Sequence, residues 1–263
     1  MAASAPPAER AVHLYLAAGD TDLAALAATD QVLDTQERAQ AARFVRPADR
    51  ELYRAAHVLL RRALSHHAPV DPAAWRFSRG AYGRPEIAAP GSPTGEGLHF
   101  SLAHTRGLVC CAVTGETAVG IDAECERPLS DALDLARRFF SPVEAAALAA
   151  LPPAERTQGF FAFWTLKESF VKALGLGLAM GLDRFAFRLA AGRPGSIDLT
   201  LAPPCAHSDW RFVLLRIERE HTLAAGVRAR AGARFCVHPI SPAGRLPRSV
   251  LSARSAGVCF ADP

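Results

Sequence analysis

Apolar positions along the chain recur with two different periods, and together these predict a mixture of strands and helices. Short apolar runs bounded by glycine or polar residues predict strands, because helices in globular proteins are usually longer. The strands predicted in this way cover residues 12–16, 98–102, 108–113, 119–123, 210–217 and 223–227. A longer stretch, residues 49–65, places leucine and alanine on one side of a helical repeat and therefore predicts an amphipathic helix.

Capping residues mark two helix starts. Asp34 is followed three residues later by Glu37, and Ser141 is followed in the same way by Glu144. In this arrangement each side chain can accept a hydrogen bond from the backbone N–H of the other residue, which is typical of the first turn of a helix. Another helix is predicted over residues 154–174, because Gly175 stands where helices commonly end.

The order strand, helices, strands occurs twice along the chain, and the two occurrences divide near residue 115. We therefore predict an α+β fold with two similar α/β subdomains, which cover residues 1–115 and 116–238. Residues 239–263 are rich in Pro, Gly, Ser and Arg and show no periodicity, so we expect a loose tail there.

The bulk composition is that of a globular enzyme, since 50% of the 263 residues are hydrophobic and 21% are charged. No apolar window is long enough to span a membrane, and the N-terminus lacks a basic segment followed by an apolar one. We therefore expect a cytoplasmic protein. The six cysteines show no metal-binding spacing, so free thiols in a reducing compartment are expected.

Positive charge is concentrated between residues 36 and 62, where seven arginines accompany three acidic residues. One interpretation is a solvated helix face, which is the usual meaning of a charged run. The other is a surface that binds phosphate or an acidic protein partner. Nucleic acid is disfavoured as a partner, because neither aromatic residues nor a known binding motif accompany the arginines.

The chain contains 28 arginines but only two lysines, Lys167 and Lys172, and both fall in the predicted helix over residues 154–174. Lys presents a compact charge whose pKa shifts readily, whereas Arg is planar and permanently charged. In a composition shifted so far toward Arg, we expect Lys to remain where its own chemistry is needed.

Two carboxylates, Asp122 and Glu124, lie at the end of the predicted strand over residues 119–123. Side chains alternate across a strand, so both point to one face, separated by about 7 Å. Like charges at that separation repel unless a positive group joins them, and Mg²⁺ binds such oxygens together with water and phosphate. The alternative is a solvent-facing strand edge, which is commoner for an isolated pair of this kind.

In the predicted helix, Trp164, Glu168 and Lys172 are spaced by four residues and form one stripe, with Lys167 beside it. This spacing predicts two ammonium groups around one carboxylate. The alternative is a surface ion pair between Glu168 and Lys172. The helix is too rich in aromatic residues to be mostly exposed, and charges on a buried helix need a metal, phosphates or opposite charges as partners.

Two segments resemble the paired signature motifs of 4′-phosphopantetheinyl transferases: GIDAE at residues 120–124 and WTLKESFVKALG at residues 164–175. Weaker matches lie upstream, at residues 43–44, 61, 83–85, 100–104 and 138–144. The resemblance spans residues 35–230 and is to the large, pseudo-dimeric type that activates surfactin synthetase, not to the short trimeric acyl-carrier-protein synthases. It implies that the two halves are related by a pseudo-twofold axis and that the active site lies between them.

The resemblance also implies a reaction and its partners. Coenzyme A binds mainly on the side of residues 1–115, and residues 116–238 supply the metal and catalytic motifs. A serine hydroxyl of an apo acyl or peptidyl carrier protein attacks the β-phosphorus of coenzyme A, and adenosine 3′,5′-bisphosphate leaves. The implied enzyme uses Mg²⁺, acts as a monomer and recognises acidic carrier proteins.

Residue roles follow from the same resemblance. Mg²⁺ would be held by Asp122, Glu124 and Glu168, directly or through water. Glu168 or a metal-bound water would take the serine proton, and Lys172 would assist departure of the bisphosphate. The residues expected to contact coenzyme A are Arg43, Arg61, Arg84, His104, Lys167 and Lys172.

The sequence departs from the family pattern at two positions. Ala103 stands where the family usually has Ser, so one hydroxyl contact to the coenzyme phosphates is expected to be missing. Arg84 replaces Lys, which keeps the charge but changes its geometry. We interpret Glu144 as a capping residue and Trp164 as part of the core.

Two other functions stay open from the sequence. One is a different Mg²⁺-dependent phosphotransferase or pyrophosphatase that acts on coenzyme A or a nucleotide without a protein acceptor. The other is a non-catalytic, arginine-rich adaptor that binds acidic partners and keeps a relic of the site. The adaptor is disfavoured because both motifs retain their charged residues. The carrier protein is not identified, so fatty acid, polyketide and nonribosomal peptide synthesis are all compatible with the sequence.

Overall fold

The computed structural model describes residues 11–80, 83–88, 97–115, 118–175, 180–189, 197–201, 209–217, 220–229, 233–240, 251–253 and 258–260. Both helices and strands are present, and the predicted α+β class is confirmed. The helices are α1 (Asp20–Ala27), α2 (Thr35–Ala42), α3 (Pro47–His67), α4 (Ala132–Phe139), α5 (Pro142–Ala149) and α6 (Pro153–Leu174). The strands are β1 (Ala11–Ala18), β2 (Phe77–Arg79), β3 (Pro85–Ile87), β4 (His99–Thr105), β5 (Leu108–Thr114), β6 (Ala118–Cys125), β7 (Phe185–Leu189), β8 (Ile197–Leu201), β9 (Trp210–Ile217), β10 (His221–Arg228), β11 (Arg234–Pro239), β12 (Leu251–Ala253) and β13 (Val258–Phe260).

Two larger sheets organise the fold. The first has the strand order β13-β11-β1-β5-β4 and the second has the order β12-β9-β10-β6. In both, a strand is followed by helices and then by a hairpin whose last strand pairs antiparallel with the first: β1 with β5, and β6 with β10. This repeated order agrees with two similar halves. Their relation by a pseudo-twofold axis stays a prediction.

The C-terminal part of the chain joins both sheets. β11 belongs to the predicted second subdomain but pairs in parallel with β1 of the first. β12 pairs with β9, and β13 pairs with β11. The expectation of a loose tail over residues 239–263 is therefore wrong at these two short strands. The division of the chain at residue 115 stays a prediction.

The predicted helix ends are confirmed by their capping geometry. Asp34 and Glu37 form a reciprocal capping box at the start of α2, and Ser141 and Glu144 form one at the start of α5. Gly175 ends α6 in the left-handed conformation, with φ of 68°. A residue with a Cβ atom is disfavoured in that conformation, which explains the glycine.

Apolar side chains form three packed layers around the sheets. One lies between the two sheets and receives side chains from β1, β5, β6, β9 and β10. A second lies between the first sheet and the helices α1 and α3, and a third lies between the second sheet and the helices α4, α5 and α6. The helices therefore cover the outer faces of two facing sheets.

Four histidines, His13 of β1, His66 and His67 at the end of α3, and His238 of β11, form what we call the histidine cluster. His13 Nδ1 lies 2.8 Å from His238 Nε2, and the Tyr15 hydroxyl lies 2.9 Å from His67 Nε2. Burial, assisted by the other histidines, lowers the pKa of His67 and of His238 to about 4. Uncharged histidines therefore connect β11 to β1 and α3.

Two expectations about the environment of the protein can be compared with the structure. None of the described helices is long and apolar enough to cross a membrane. Cys110, Cys111, Cys125 and Cys236 are free thiols, and the first two are buried. The remaining cysteines, Cys205 and Cys259, have side chains outside the described part of the chain.

Candidate active site

The acidic and basic groups of the site come from β6 and α6, which lie against each other. Alternation along β6 turns its apolar residues toward the core between the sheets and turns Asp122 toward α6. The helix can approach because Gly120 has no side chain. A Cβ atom at Gly120 would overlap the carbonyl oxygen of Ser169 and would lie 2.5 Å from the backbone nitrogen of Ala173. The glycine of the GIDAE segment is therefore required by the close contact of the two backbones.

An ion pair joins the two elements. The ammonium of Lys172 donates a hydrogen bond to Asp122 Oδ1 over 2.7 Å. The Lys172 side chain is 34% exposed, whereas that of Asp122 is only 10% exposed. Burial alone would lower the pKa of Lys172, but the charge and hydrogen bond of Asp122 outweigh it and raise this pKa above its ordinary value. Lys172 is therefore protonated at neutral pH.

Two carboxylate oxygens beside this pair are buried and have no hydrogen-bond partner among the described residues, namely Asp122 Oδ2 and Glu168 Oε1. Burial raises the pKa of Glu168, and the charge of Asp122 adds to this, although Lys172 opposes it. Burial and Asp122 also raise the pKa of Glu124. Negative charge is thus crowded here and is only partly compensated by Lys172.

This donor set fits Mg²⁺, which is usually held by one or two carboxylates while water and substrate phosphates complete its coordination. The unpartnered oxygens of Asp122 and Glu168 are ligands of that kind. In the part of the chain that the structure describes, no group of three or more His, Cys, Asp or Glu side chains is assembled as a metal site. The arrangement therefore agrees with an open site that substrate and water complete, and not with a closed protein cage.

Trp164 packs against aromatic side chains beside the site. Its ring lies against Phe160, with 5.8 Å between ring centroids, and against Phe139, with 6.3 Å. It also lies close enough to Glu124 to lower the pKa of that carboxyl slightly, against the larger opposite effect of burial. Trp164 therefore packs in the core, as interpreted from the sequence, and also borders one of the predicted metal ligands.

A cavity of about 250 Å³ lies beside Lys172, where the two sheets meet. β4 and β6 stand at the ends of the two strand orders and are joined by side chains. The N–H of Ile121 donates to Ser101 Oγ, and the N–H of Cys125 donates to Thr105 Oγ1, both over 3.1 Å. The residues lining the cavity are Gly83, Arg84, Pro85, Phe100, Ser101, Leu102, Lys172 and Gly175.

Arg84 lines this cavity, but both terminal nitrogens of its guanidinium bind backbone. One nitrogen donates to the carbonyls of Lys172 and Ala173, over 2.7 and 3.3 Å. The other donates to the carbonyls of Phe100 and Val119, over 2.9 and 3.0 Å. These four contacts give no support to the predicted binding of the coenzyme phosphates by Arg84, which stays a prediction.

Lys167 faces away from the site and is fully buried. Its ammonium forms an ion pair with Glu144 Oε2 over 2.7 Å and donates to the carbonyls of Leu182 and Phe185 over 2.6 and 2.7 Å. These partners use its three N–H donors. The structure therefore gives no support to the prediction that Lys167 contacts phosphates. One step along a helix turns a side chain by about 100°, which moves it from the stripe of Glu168 to the face that packs on α5 and β7.

Arg61 is also fully buried and used within the protein. It pairs with Glu37 over 2.7 Å and with Asp34 over 3.2 Å, and it donates to the carbonyls of Pro72 and Trp75. The structure gives no support to the predicted contact of Arg61 with coenzyme A, because this guanidinium attaches the start of α2 to α3 and is not exposed.

Arg43, in contrast, is exposed at the end of α2 and borders a second cavity, of about 500 Å³. Arg79 of β2 borders the same cavity from the other side. Sequence reasoning missed Arg79, because an arginine in a short strand within a turn-rich segment has no distinguishing pattern. Gly83 and Pro85 line both cavities, so these two residues lie between Arg43 and the ion pair of Lys172.

His104 projects from β4 with an exposed side chain. Partial burial of its ring lowers its pKa, and the positive charge of Lys172 lowers it further. His104 is therefore uncharged at neutral pH and close enough to Lys172 to respond to its charge. Ala103 packs into the core between the sheets. The expected loss of a hydroxyl contact at position 103 stays a prediction.

Comparison with known proteins agrees with the residues assembled at β6 and α6. Residues 118–226, which include both signature segments, match the family described as the 4′-phosphopantetheinyl transferase superfamily. The 4′-phosphopantetheinyl transferase HetI of Nostoc sp. is 35% identical over 190 residues, which are 71% of this chain and 78% of that protein.

A second relative has the same family name, and one solved structure also matches part of the chain. The 4′-phosphopantetheinyl transferase Sfp of Bacillus subtilis strain 168 is 35% identical over 176 residues, covering 67% of this chain and 73% of that protein. The crystal structure of holo-[acyl-carrier-protein] synthase from Thermotoga maritima matches with a TM-score of 0.33 and 24% identity, over 43% of this chain and 64% of that chain.

Proposed function

We propose that this chain, which belongs to the 4′-phosphopantetheinyl transferase superfamily, transfers the 4′-phosphopantetheine group of coenzyme A to a serine of an apo acyl or peptidyl carrier protein. The second product is adenosine 3′,5′-bisphosphate. One observation supports the proposal most strongly. The ion pair of Lys172 and Asp122 joins two elements beside free carboxylate oxygens and an open cavity, which is where a charged pyrophosphate can be neutralised.

The reaction exchanges one oxygen–phosphorus bond for another. The serine oxygen forms a bond to the β-phosphorus, the bond from that phosphorus to the bridging oxygen breaks, and the bisphosphate leaves with the electron pair. Lys172 has an exposed side and a protonated ammonium, so it can neutralise and hydrogen-bond the departing phosphate oxygen. Glu168 is the nearby carboxylate whose oxygen can accept the serine proton.

Asp122, Glu124 and Glu168 are the residues that would hold Mg²⁺, some of them through water, since they are the crowded carboxylates of the site. When bound, Mg²⁺ supplies positive charge to the phosphate oxygens and orients them. Lys172 holds the carboxylate of Asp122 by its hydrogen bond. This contact restricts that carboxylate to the side of β6 that faces α6.

The coenzyme is expected to extend beyond the pyrophosphate site. Arg43 and Arg79 border the second cavity with exposed guanidinium groups, and His104 is exposed on β4. These are the groups that we assign to the remaining phosphate and nucleotide of coenzyme A, because phosphate oxygens are recognised by such donors. Of the coenzyme contacts predicted from the sequence, Arg43, His104 and Lys172 are retained in this proposal.

The carrier protein is proposed to be acidic. Of the arginines between residues 36 and 62, four are exposed, and an exposed basic surface attracts acidic partners. They are Arg38, Arg43, Arg46 and Arg62. The cytoplasmic location and the monomeric state are parts of the same proposal. Neither nucleic acid nor membrane has a place in it.

The test is a transfer assay with the purified chain, an apo carrier protein, coenzyme A and Mg²⁺. Mass spectrometry of the carrier should show the addition of one phosphopantetheine, and EDTA should abolish it, because the crowded carboxylates then lose their cation. If coenzyme A is hydrolysed while no carrier in a broad panel is modified, the phosphotransferase or pyrophosphatase alternative is supported instead.

Two variants test the residue roles. Asp122→Ala should lower kcat by about 10²–10³-fold, because it removes a metal ligand and the partner of Lys172. Lys172→Arg should also lower kcat strongly, since a guanidinium is larger and spreads its charge over a plane, whereas an ammonium approaches one phosphate oxygen as a compact charge. Asp134→Ala is the matched control, because that carboxylate is 79% exposed on α4. Near-normal turnover of Asp122→Ala at low Mg²⁺ would contradict the metal assignment.

A further inference from the structure

Arg84 occupies a junction of three structural elements. Its guanidinium donates to two carbonyls in the last turn of α6, to one on β4 and to one on β6, over distances of 2.7 to 3.3 Å. The last carbonyls of a helix lack partners within the helix, and a positive charge beside them is favourable because of the helix dipole. Arg84 therefore acts as a cap supplied from outside the helix.

The two strand contacts bridge the meeting point of the sheets. Phe100 lies on β4, which ends the order of the first sheet, and Val119 lies on β6, which ends the order of the second. The carbonyls of these two residues bind the same nitrogen of Arg84. A planar guanidinium can satisfy several acceptors in fixed directions, which a single ammonium does less well. One side chain thus fixes the distance between β4, β6 and the end of α6.

This junction is adjacent to the ion pair of the site. Arg84 binds the backbone carbonyl of Lys172 itself, while the ammonium of Lys172 reaches Asp122. On β6, the carbonyl that Arg84 binds belongs to Val119, three residues before Asp122. The four hydrogen bonds of the Arg84 guanidinium, which we call the clasp, and the ion pair therefore connect the same helix to the same strand. The position of the ammonium relative to the carboxylates depends on both.

We infer that Arg84 is a positioning residue for the transfer reaction, which holds the last turn of α6, and with it Lys172, in register with Asp122. The inference rests on the proposed function. It assigns Arg84 to the geometry of the catalytic groups and not to the binding of coenzyme A. Displacement of a catalytic group by about 1 Å can reduce turnover about 10²-fold, so loss of the clasp should be visible in kcat.

The experiment compares steady-state kinetics of Arg84→Ala with those of the unaltered protein. We expect kcat to fall about 10- to 100-fold while KM for coenzyme A changes by less than about threefold. The ratio of kcat/KM for coenzyme A to that for 3′-dephospho-coenzyme A should be unchanged. A rise of KM with unchanged kcat, or a selective loss with coenzyme A, would show that Arg84 is a phosphate ligand and would overturn the inference.

Two further variants accompany this measurement. Arg76→Ala is the matched control, because Arg76 lies in the same segment and donates to the carbonyls of Ala73 and Trp75, within its own segment. It should leave kcat unchanged. Arg84→Lys keeps the charge but not the planar fork, so an intermediate kcat is expected. Full activity of Arg84→Lys together with full activity of Arg84→Ala would overturn the role.

Amide hydrogen exchange gives a readout that does not require activity. In Arg84→Ala the amides of residues 171–175 should exchange faster, while those in the middle of α6 should not change. Unaltered exchange in that last turn would refute the clasp. If the unaltered protein modifies no carrier, the proposed function fails, and the exchange measurement still decides whether Arg84 holds the helix end.

Discussion

Substitution of Lys167 by methionine tests whether the two lysines of α6 have different roles, with Lys167 needed for stability and Lys172 for transfer. The ammonium of Lys167 is fully buried with Glu144, and it also satisfies the carbonyls of Leu182 and Phe185. Methionine has a similar length and no charge, so Lys167→Met removes the ion pair without opening a large cavity. The carboxylate of Glu144 would then be left as a buried charge without its cation.

The expected loss of stability follows from this arrangement. Removing one partner of a buried ion pair typically costs about 3–5 kcal/mol, because the remaining charge stays desolvated. Two carbonyls also lose a donor, and each buried acceptor left unsatisfied adds about 1–3 kcal/mol, although these effects are not additive. We therefore expect the free energy of unfolding to fall by at least about 3 kcal/mol, out of a typical total of about 5–15 kcal/mol.

The assay is urea unfolding followed by circular dichroism, together with transfer kinetics normalised to folded protein. Lys172→Met is the matched control, because it is the same substitution on the same helix at a partly exposed ion pair. It should abolish transfer and lower stability by less than Lys167→Met does, because the Lys172 side chain is partly exposed whereas that of Lys167 is fully buried. Lys167→Met should lower stability strongly, while the protein that stays folded should keep its transfer activity. If Lys167→Met is as stable as the unaltered protein and binds coenzyme A poorly, Lys167 is a phosphate ligand and our assignment is wrong.

The double variant provides an internal check. When Lys167→Met is combined with Glu144→Gln, the buried charge is removed as well, so the loss of stability should be smaller than the sum of the two single losses. Glu144 also accepts a hydrogen bond from the backbone N–H of Phe187 over 2.8 Å, and the oxygen of glutamine can keep that bond. A strictly additive pair of losses would contradict direct coupling between the two side chains.

Two other outcomes are expected. Gly120→Ala should lower the free energy of unfolding by about 1–3 kcal/mol and should also lower kcat, because the new methyl group must push α6 away from β6. Gly159→Ala is the control, because only leucine methyl groups lie near Gly159. Equal activity of the two variants would argue against the close contact between α6 and β6. The histidine cluster should make the protein less stable as pH falls from about 6.5 toward 4. In the folded protein His67 and His238 have pKa values of about 4, below the ordinary value of 6.5. The unfolded chain therefore binds more protons than the folded chain in that pH range, which favours unfolding. Urea unfolding at several pH values should show this slope, and His67→Gln should reduce it; an unchanged slope would exclude His67 as a source.

Features encoded by local pattern could be predicted from the sequence. The apolar runs at residues 108–113 and 119–123 became β5 and β6, and the alternation along the second run oriented Asp122 as expected. The spacing of four residues placed Glu168 and Lys172 on one side of α6. These predictions succeed because strand alternation and the helical repeat follow from backbone geometry alone.

Features that depend on distant partners could not be predicted in this way. The buried Arg61 donates a hydrogen bond to Glu37, which lies 24 residues earlier in the sequence. Strand β11, near the C-terminal end of the described chain, pairs with β1 near its start. A helical repeat gives the angle at which a side chain leaves the helix, but not which element lies on that side. For this reason the sequence predicts contacts of Arg61 and Lys167 with coenzyme A, although the structure shows partners for both within the fold. For the same reason it does not indicate that Arg79 borders the second cavity.

The scarcity of lysine therefore marks two special positions for two different physical reasons. At Lys172 one compact ammonium reaches a single carboxylate oxygen and keeps an exposed side for a phosphate. At Lys167 the ammonium is enclosed by one carboxylate and two carbonyls, with the ring of Phe185 at 4.3 Å from its nitrogen. A planar guanidinium is too large for the second position and directs its charge differently at the first. Retention of lysine among arginines thus indicates a requirement for a compact, tetrahedral donor, and only the surrounding structure distinguishes a catalytic donor from a buried structural one.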